Sequence, residues 1–244
     1  MSNVNNNQDR PWYRVSRTPL IVVGLIFIVA LAGLAFVPLI SALLGGGGGV
    51  KTEGIDESHL RSATTDVDGE WAASTKPGPN QTSAGFTFFE ILPAEKKVTS
   101  GSTRSVSGGV TVEGGTLRSG EITVDMATLT TDSDVRDNNV RSKILSTDQF
   151  PEATFTLTKP ADVSQVPDDG TVTQVELTGD LTIRGQTREV SQPFNVARSG
   201  ENVLVAGDIP IKRSEYGVET PELVAAKIAD DGEVNIKVNL QKKS

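Results

Sequence analysis

No cysteine occurs in these 244 residues, which excludes disulfide frameworks, thiolate nucleophiles and cysteine metal sites. Histidine is almost as scarce. His59 stands alone, so the paired imidazoles of an H-E-x-x-H zinc site are lacking. Only twelve aromatic residues are present, eight of them beyond residue 44, too few for a base-stacking surface. Positive charge is in deficit, with 23 basic against 31 acidic residues and a net of −8. Three of the basic residues and one of the acids fall in 1–44, which leaves 20 against 30, net −10, in the rest. An acidic body of this kind argues against nucleic acid as a partner, because phosphate binding needs clustered Lys and Arg.

Charge is also missing from one continuous run. Between Leu20 and Leu44 the sequence LIVVGLIFIVALAGLAFVPLISALL carries none over 25 residues. A helix of that length spans roughly 37 Å, enough to cross a hydrocarbon core of about 30 Å with some tilt. Arg10, Arg14 and Arg17 precede it, and Glu53, Asp56 and Glu57 follow. The positive-inside rule then sets residues 1–19 in the cytoplasm and the C-terminal body outside it, as a single-pass membrane protein. Trp12 and Tyr13 suit the headgroup level, and Pro38 kinks or shortens the helix. The rival is a cleaved signal peptide, since Ala30-Leu31-Ala32 has the small-x-small form. Cleavage there would leave twelve further apolar residues on the mature chain, which favours an uncleaved anchor. Either way the body is exported.

Gly45 to Gly49 and Val50-Lys51-Thr52 brush against the phosphate-loop pattern G-x-x-x-x-G-K-[ST], but Val50 stands where the last glycine belongs. Residues 45–66 read as a Gly-rich, polar, flexible linker, with His59 solvated inside it.

Beyond it, from residue 67 to 244, short β-type runs alternate apolar and polar residues. Ile122, Val124 and Met126 alternate with Thr123 and Asp125; Ala153, Phe155 and Leu157 with threonines. Val175, Leu177, Leu181 and Ile183 form a third set, and Val234, Ile236, Val238 and Leu240 a fourth. Further strands are predicted near 84–91, 105–113, 190–197 and 203–212. Such period-two alternation means antiparallel strands with one apolar face. About eight strands in one domain point to a sandwich or a closed barrel. The mostly aliphatic inward set fits either a ligand-holding barrel or a packed interior.

The most charged stretch, TLTTDSDVRDNNVRSKILSTDQFPEATFTL at 128–157, tests as follows. An EF-hand loop starting at Asp132 meets Arg136, Asp137 and Lys143 at positions where oxygen ligands or glycine belong. As a general acid, Asp137 would be held ionised by Arg136 and Arg141. No metal ligand set and no catalytic residue is therefore assigned, and the chain reads as a non-enzyme. Asp132 or Ser133 can instead cap a short helix, with Val135, Val140 and Ile144 on its apolar side. The charges then face water, with Asp137 and Arg141 as an i,i+4 pair. Phe150-Pro151 ends this crossover, which lies across the end of the β-structure where a lid would sit.

These residues resemble the YceI-like domain, a polyisoprenoid-binding, lipocalin-like family. The carriers of the resemblance are the Thr-rich turn, the Arg-Asp helix, Phe-Pro and the Ala-Thr-Phe strand of 125–157. GDLTIRGQT at Gly179–Thr187, SAGFTF and SVSGGVTV upstream, IKRSEYGV and GEVNIKVNL downstream, and Trp71 complete it over about 68–242. Three positions depart from the pattern: Asn139 stands where the family often has His, Val140 where it has Leu, and Tyr216 where it has Phe. Head-group recognition therefore does not carry over.

The resemblance implies an all-β fold, an extended antiparallel barrel of about eight strands with a short helical crossover, preceded here by one transmembrane helix. It also implies an apolar tunnel holding a polyisoprenoid such as an isoprenoid quinone or another prenyl lipid, with no other cofactor required. From the alternation, the expected lining is Val124, Met126, Phe155, Leu157, Val175, Leu177, Leu181, Ile183, Phe194, Val196, Val234, Ile236 and Val238. The expected partners are the bilayer and the prenyl ligand, for carriage, storage or stress protection. The alternative is a ligand-free interaction or stress-response domain with a packed barrel. Oligomeric state is not legible.

Overall fold

The computed structural model describes residues 50–91, 96–219 and 227–243. The apolar run 20–44 lies outside them. Among the described residues no helix is long and apolar enough to cross a membrane.

Among the described residues, eleven strands form one antiparallel sheet. They are β1 (Gly69–Ala73), β2 (Ser83–Ile91), β3 (Lys96–Thr103), β4 (Val106–Glu113), β5 (Thr116–Asp125), β6 (Glu152–Leu157), β7 (Ala161–Asp162), β8 (Thr173–Ile183), β9 (Gln186–Ser199), β10 (Asn202–Lys212) and β11 (Lys227–Lys242). Eight of them, in the order β1-β4-β5-β6-β8-β9-β10-β11, close into a barrel because β11 pairs back onto β1. Closure removes the sheet edges that would otherwise template association. β11 is the longest strand and serves two neighbours on one edge. Its N-terminal part, Lys227 to Lys237, pairs with β2, and Leu240 to Lys242 pair with β1. The β2–β3 hairpin thus extends the wall at one end of the barrel, and a register shift between Ile228 and Gly232 marks the bend.

The alternating runs of the sequence fall in strands. In β8, Val175, Leu177, Leu181 and Ile183 are buried and their neighbours are exposed or half-buried. β1, β3 and β7 are additions that alternation missed: β1 is short, β3 reads KKVTSGST, and β7 has two residues. Met126 belongs to a 3-10 turn, not to a strand.

The crossover contains helix α1 (Asp134–Asn139), continued by one π turn over Val140–Ile144. Its Leu145 N–H donates to the Val140 carbonyl at 2.8 Å, the i→i+5 bond of a π turn. The electrostatics differ from expectation. Asp137 is buried, and its carboxylate accepts from the Thr131 amide and hydroxyl, each at 2.6 Å. Arg141 donates to the Leu129 carbonyl and to Asn138 Oδ1 instead. The i,i+4 ion pair is Arg136 with Asp132. Thr131, three residues before the helix, offers Asp137 two donors from one residue, its amide and its hydroxyl. Ser133 is the N-cap residue, but its side chain makes no capping bond.

Residues 50–66 are not a free linker. Thr52 is buried and hydrogen-bonds the Ser83 hydroxyl at 2.8 Å. Asp56 N–H donates to Asn80 Oδ1, and Lys237 Nζ donates to the Gly54 carbonyl. Further on, Ala63 bridges Gly200, with Thr64 N–H donating to the Gly200 carbonyl at 2.8 Å. The segment is a strap laid along the outer wall. His59 is exposed and pairs with Asp56 at 2.7 Å. Hydrogen bonds from Ser58 and then His59 hold the Asp56 carboxyl below its ordinary value.

Candidate functional site

Inward-facing side chains do not meet at the barrel axis. They surround a cavity of about 500 Å³, within the range of about 300–1,000 Å³ typical of small-molecule sites. All thirteen residues expected from alternation border it: Val124, Met126, Phe155, Leu157, Val175, Leu177, Leu181, Ile183, Phe194, Val196, Val234, Ile236 and Val238. The sequence reading missed many others, chiefly Trp71, Phe86, Val112, Leu117, Ile209 and Tyr216. Leu117 was hidden by a register shift in β5, which puts it on the same face as Ile122 at an odd spacing. Residues 129–145 contribute Leu129, Ser133, Val135, Arg136, Asn139, Val140, Ile144 and Leu145, so the crossover is part of the cavity wall.

Two features keep the interior open. The inward residues are mainly aliphatic, and two of the phenylalanine rings pack close against glycines on adjacent strands. A Cβ at Gly207 would stand 2.7 Å from the Phe194 ring, and one at Gly179 would stand 2.6 Å from the Phe155 ring. The two rings meet tilted, centroids 6.1 Å apart. They pave the wall instead of filling the lumen.

The ends differ. Near the β4–β5 turn, Trp71, Leu117, Val163, Val166 and Val203 are buried and close the floor. The Trp71 indole N–H donates to the Val67 carbonyl at 2.8 Å, which fixes the largest of these plugs. At the α1 end, the bordering residues Ser133 and Val135 are exposed, Val135 at 72%. That end is the mouth. Val135 therefore stands on the rim and not on a buried helix face.

Polar side chains on the lining are few: Thr99, Ser133, Arg136, Asn139, Thr154, Arg198, Arg213 and Tyr216. No lysine, histidine or carboxylate borders the cavity among the described residues. Arg213 donates to three backbone carbonyls, those of Ala229, Val218 and Ile228. Arg198, at the floor, donates to the Thr65 carbonyl. Burial, with a smaller push from Glu215, raises the Tyr216 phenol above its ordinary value, so it stays a neutral donor.

No curated protein sequence matches the chain. Among solved structures, BcnA of Burkholderia cenocepacia is similar at 23% identity, with a TM-score of 0.50 over 64% of this chain and 95% of its own. A polyisoprenoid binding domain from Saccharophagus degradans, implicated in plant cell wall breakdown, is similar at 17% identity, with a TM-score of 0.54 over 71% of this chain and 98% of its own. At these identities the likeness is one of fold. The YceI-like domain family matches residues 76–240, two thirds of the chain and nearly the whole barrel. With that match added to a closed antiparallel barrel around an apolar cavity, the chain belongs to the YceI-like domain family.

Proposed function

We propose that the protein is a membrane-anchored, extracytoplasmic binder of a polyisoprenoid lipid, held in the barrel for carriage, storage or stress protection. The carrying observation is the cavity of about 500 Å³ with an almost wholly apolar lining. Water is a poor occupant, because a buried water needs two to four polar partners. An apolar chain matches the lining, and each buried CH₂ contributes about 0.8 kcal/mol. The solved relative described as a polyisoprenoid binding domain supports a prenyl chain as that occupant.

Binding, not turnover, is the proposed role. Among the described residues, the lining holds no histidine or carboxylate for proton transfer. The anchor is residues 20–44, with the N-terminus cytoplasmic. It keeps the barrel within reach of the bilayer where such a ligand resides. Solvent extraction of the purified full-length chain, followed by mass spectrometry, tests this reading. A stoichiometric prenyl lipid is expected. A chain that comes empty and takes up no added prenyl quinone would return the barrel to the class of ligand-free interaction domains.

A further inference from the structure

Resting on the reading of residues 20–44 as a membrane anchor and of the cavity as a prenyl-lipid site, we infer that the open end of the barrel docks on the lipid bilayer. Phe89 and Val135 enter the membrane surface, and ligand passes between bilayer and cavity without crossing water.

Exposure supplies the first observation. Among the described residues, the large hydrophobics left exposed are Val50, Phe89 and Val135, at 57%, 48% and 72%. A single exposed apolar residue is ordinary. A shared location is not. Val135 stands on the rim of the mouth. Phe89 is tied to the same end by a chain of partners. Arg184, in the β8–β9 turn, donates to the Gly217 carbonyl and to Ser146 Oγ, which joins the crossover to the 3-10 turn Arg213–Tyr216. Arg213 donates to the carbonyls of Ala229 and Ile228 near the start of β11. Ile228 pairs with Glu90, next to Phe89 on β2. Phe88 borders the cavity, so alternation turns Phe89 to the outer face. At the floor, by contrast, Trp71, Leu117 and Val166 are buried.

The strap supplies the second observation, a direction. Its contacts descend the wall in sequence order. Lys51 Nζ lies 4.0 Å from Glu233, and Lys237 Nζ donates to the Gly54 carbonyl. Asp56 N–H donates to Asn80, whose carbonyl accepts from the Asn239 amide. Ala63 then bridges Gly200, in the β9–β10 turn at the floor. Followed backwards, the chain reaches Val50 on the mouth half of the wall. Five glycines, Gly45 to Gly49, separate Val50 from Leu44, the last residue of the apolar run. Fully extended they reach only about 17 Å. With Leu44 at the membrane surface, Val50 stays within that distance of it. Surface charge is assigned no part, because the rim carries both signs: Asp132 and Asp134 are exposed beside Val135, and Lys143 is exposed further along the crossover. Docking is by shallow burial of apolar area.

The chain has no cysteine, so single labelling sites are clean. Full-length protein is reconstituted in phosphatidylcholine liposomes with a nitroxide label on Phe89→Cys, on Val135→Cys or, as a floor control, on Glu201→Cys. The two rim labels are expected to collide with oxygen dissolved in the bilayer and to be shielded from an aqueous nickel complex, at high salt as well as low. The floor label should show the reverse. Phe89→Asp, outside the cavity lining, should slow loading of a prenyl quinone from the liposomes at least about tenfold, the partitioning of one phenylalanine side chain. Its affinity for quinone presented in detergent should be unchanged, and a thermal melt checks that it folds. Rim labels as aqueous as the floor label overturn the inference. So do a floor label equally shielded, shielding lost at high salt, or Phe89→Asp loading at the unaltered rate. In those cases quinone binding in detergent keeps the lipid-binding reading. Uptake of no quinone from either source overturns that reading and this inference together, and protein stripped from the liposomes by alkaline carbonate does the same for the anchor.

Discussion

Along β11, Val234, Ile236, Val238 and Leu240 face the cavity, and Asn235 and Lys237 face outward among β2, β10 and the strap. Over residues 234–237 the accessibilities of the two faces are inverted relative to their chemistry, although Val238 and Leu240 farther along the inner face are buried. Asn235 and Lys237 are buried, whereas Val234 and Ile236 are only half-buried. On the outer face, the Thr87 hydroxyl donates to Asn235 Oδ1 at 2.6 Å, and Asn235 Nδ2 donates to Asp208 Oδ1 at 2.5 Å. Lys237 reaches the Gly54 carbonyl at 3.1 Å. The polar face is therefore finished by the chain itself. The apolar face borders space that the chain leaves open, and its residual accessibility marks what a ligand would cover. In a barrel wall, exposed apolar area and buried polar area together show which side awaits an occupant.

That contrast can be broken most strongly on the polar side. Asn235→Leu takes from the buried Thr87 hydroxyl its acceptor at 2.6 Å, leaving it only the Ser100 hydroxyl at 3.1 Å, and takes a donor from Asp208. A loss of about 3 kcal/mol is expected by urea denaturation, against less than about 1.5 kcal/mol for Ile236→Val on the opposite face. Next in size is occupancy. A prenyl quinone supplied at about 100 times its Kd should stabilise the protein by about 2.7 kcal/mol. Loss of this gain in Ile236→Asp, read as the ligand-induced shift in Tm, would show that it arises from the inner face. Gly207→Ala should cost about 2 kcal/mol through overpacking against the Phe194 ring. The ring is pushed into the lumen, and quinone uptake falls with it.

The smallest effect concerns Lys237. Burial lowers its pKa from the ordinary 10.5, and Glu53 and Asp56 only partly offset this. The folded state holds this proton less tightly than the unfolded state, so the full cost is present at neutral pH. It is relieved as pH rises from the lowered value towards 10.5. Lys237→Met should leave neutral-pH stability level or raise it by about 1 kcal/mol, and should abolish this residue's share of the alkaline gain. Denaturation series at pH 7 and pH 10 on both proteins measure the difference.

Alternation made the inner face legible. A period-two pattern reports one side of a strand, and every residue drawn from it borders the cavity. It could not report β3, whose residues are mostly small or polar, nor β1, too short to establish a period. The strap was read as linker because its composition is that of one. Its order comes from partners such as Ser83, Asn80 and Gly200, which are distant in sequence. In the crossover, the helix and its position were legible, but Asp137 was assigned to water. Its burial depends on Thr131 turning back towards it, a backbone path that residue spacing does not encode. The cavity's floor and mouth were equally hidden, since neither is a property of a single strand.

The strap has a mechanical consequence. A pull applied at Val50 does not first load the strands of the barrel. It reaches the Thr52–Ser83 bond, then Lys237 to Gly54, then Asp56 to Asn80, and only later the pairing at Gly200. Bonds met in succession peel one by one at low force, whereas strands sheared together yield at high force. The segment that joins the domain to whatever precedes it thus behaves as a fuse. It lengthens under tension while the barrel keeps its shape.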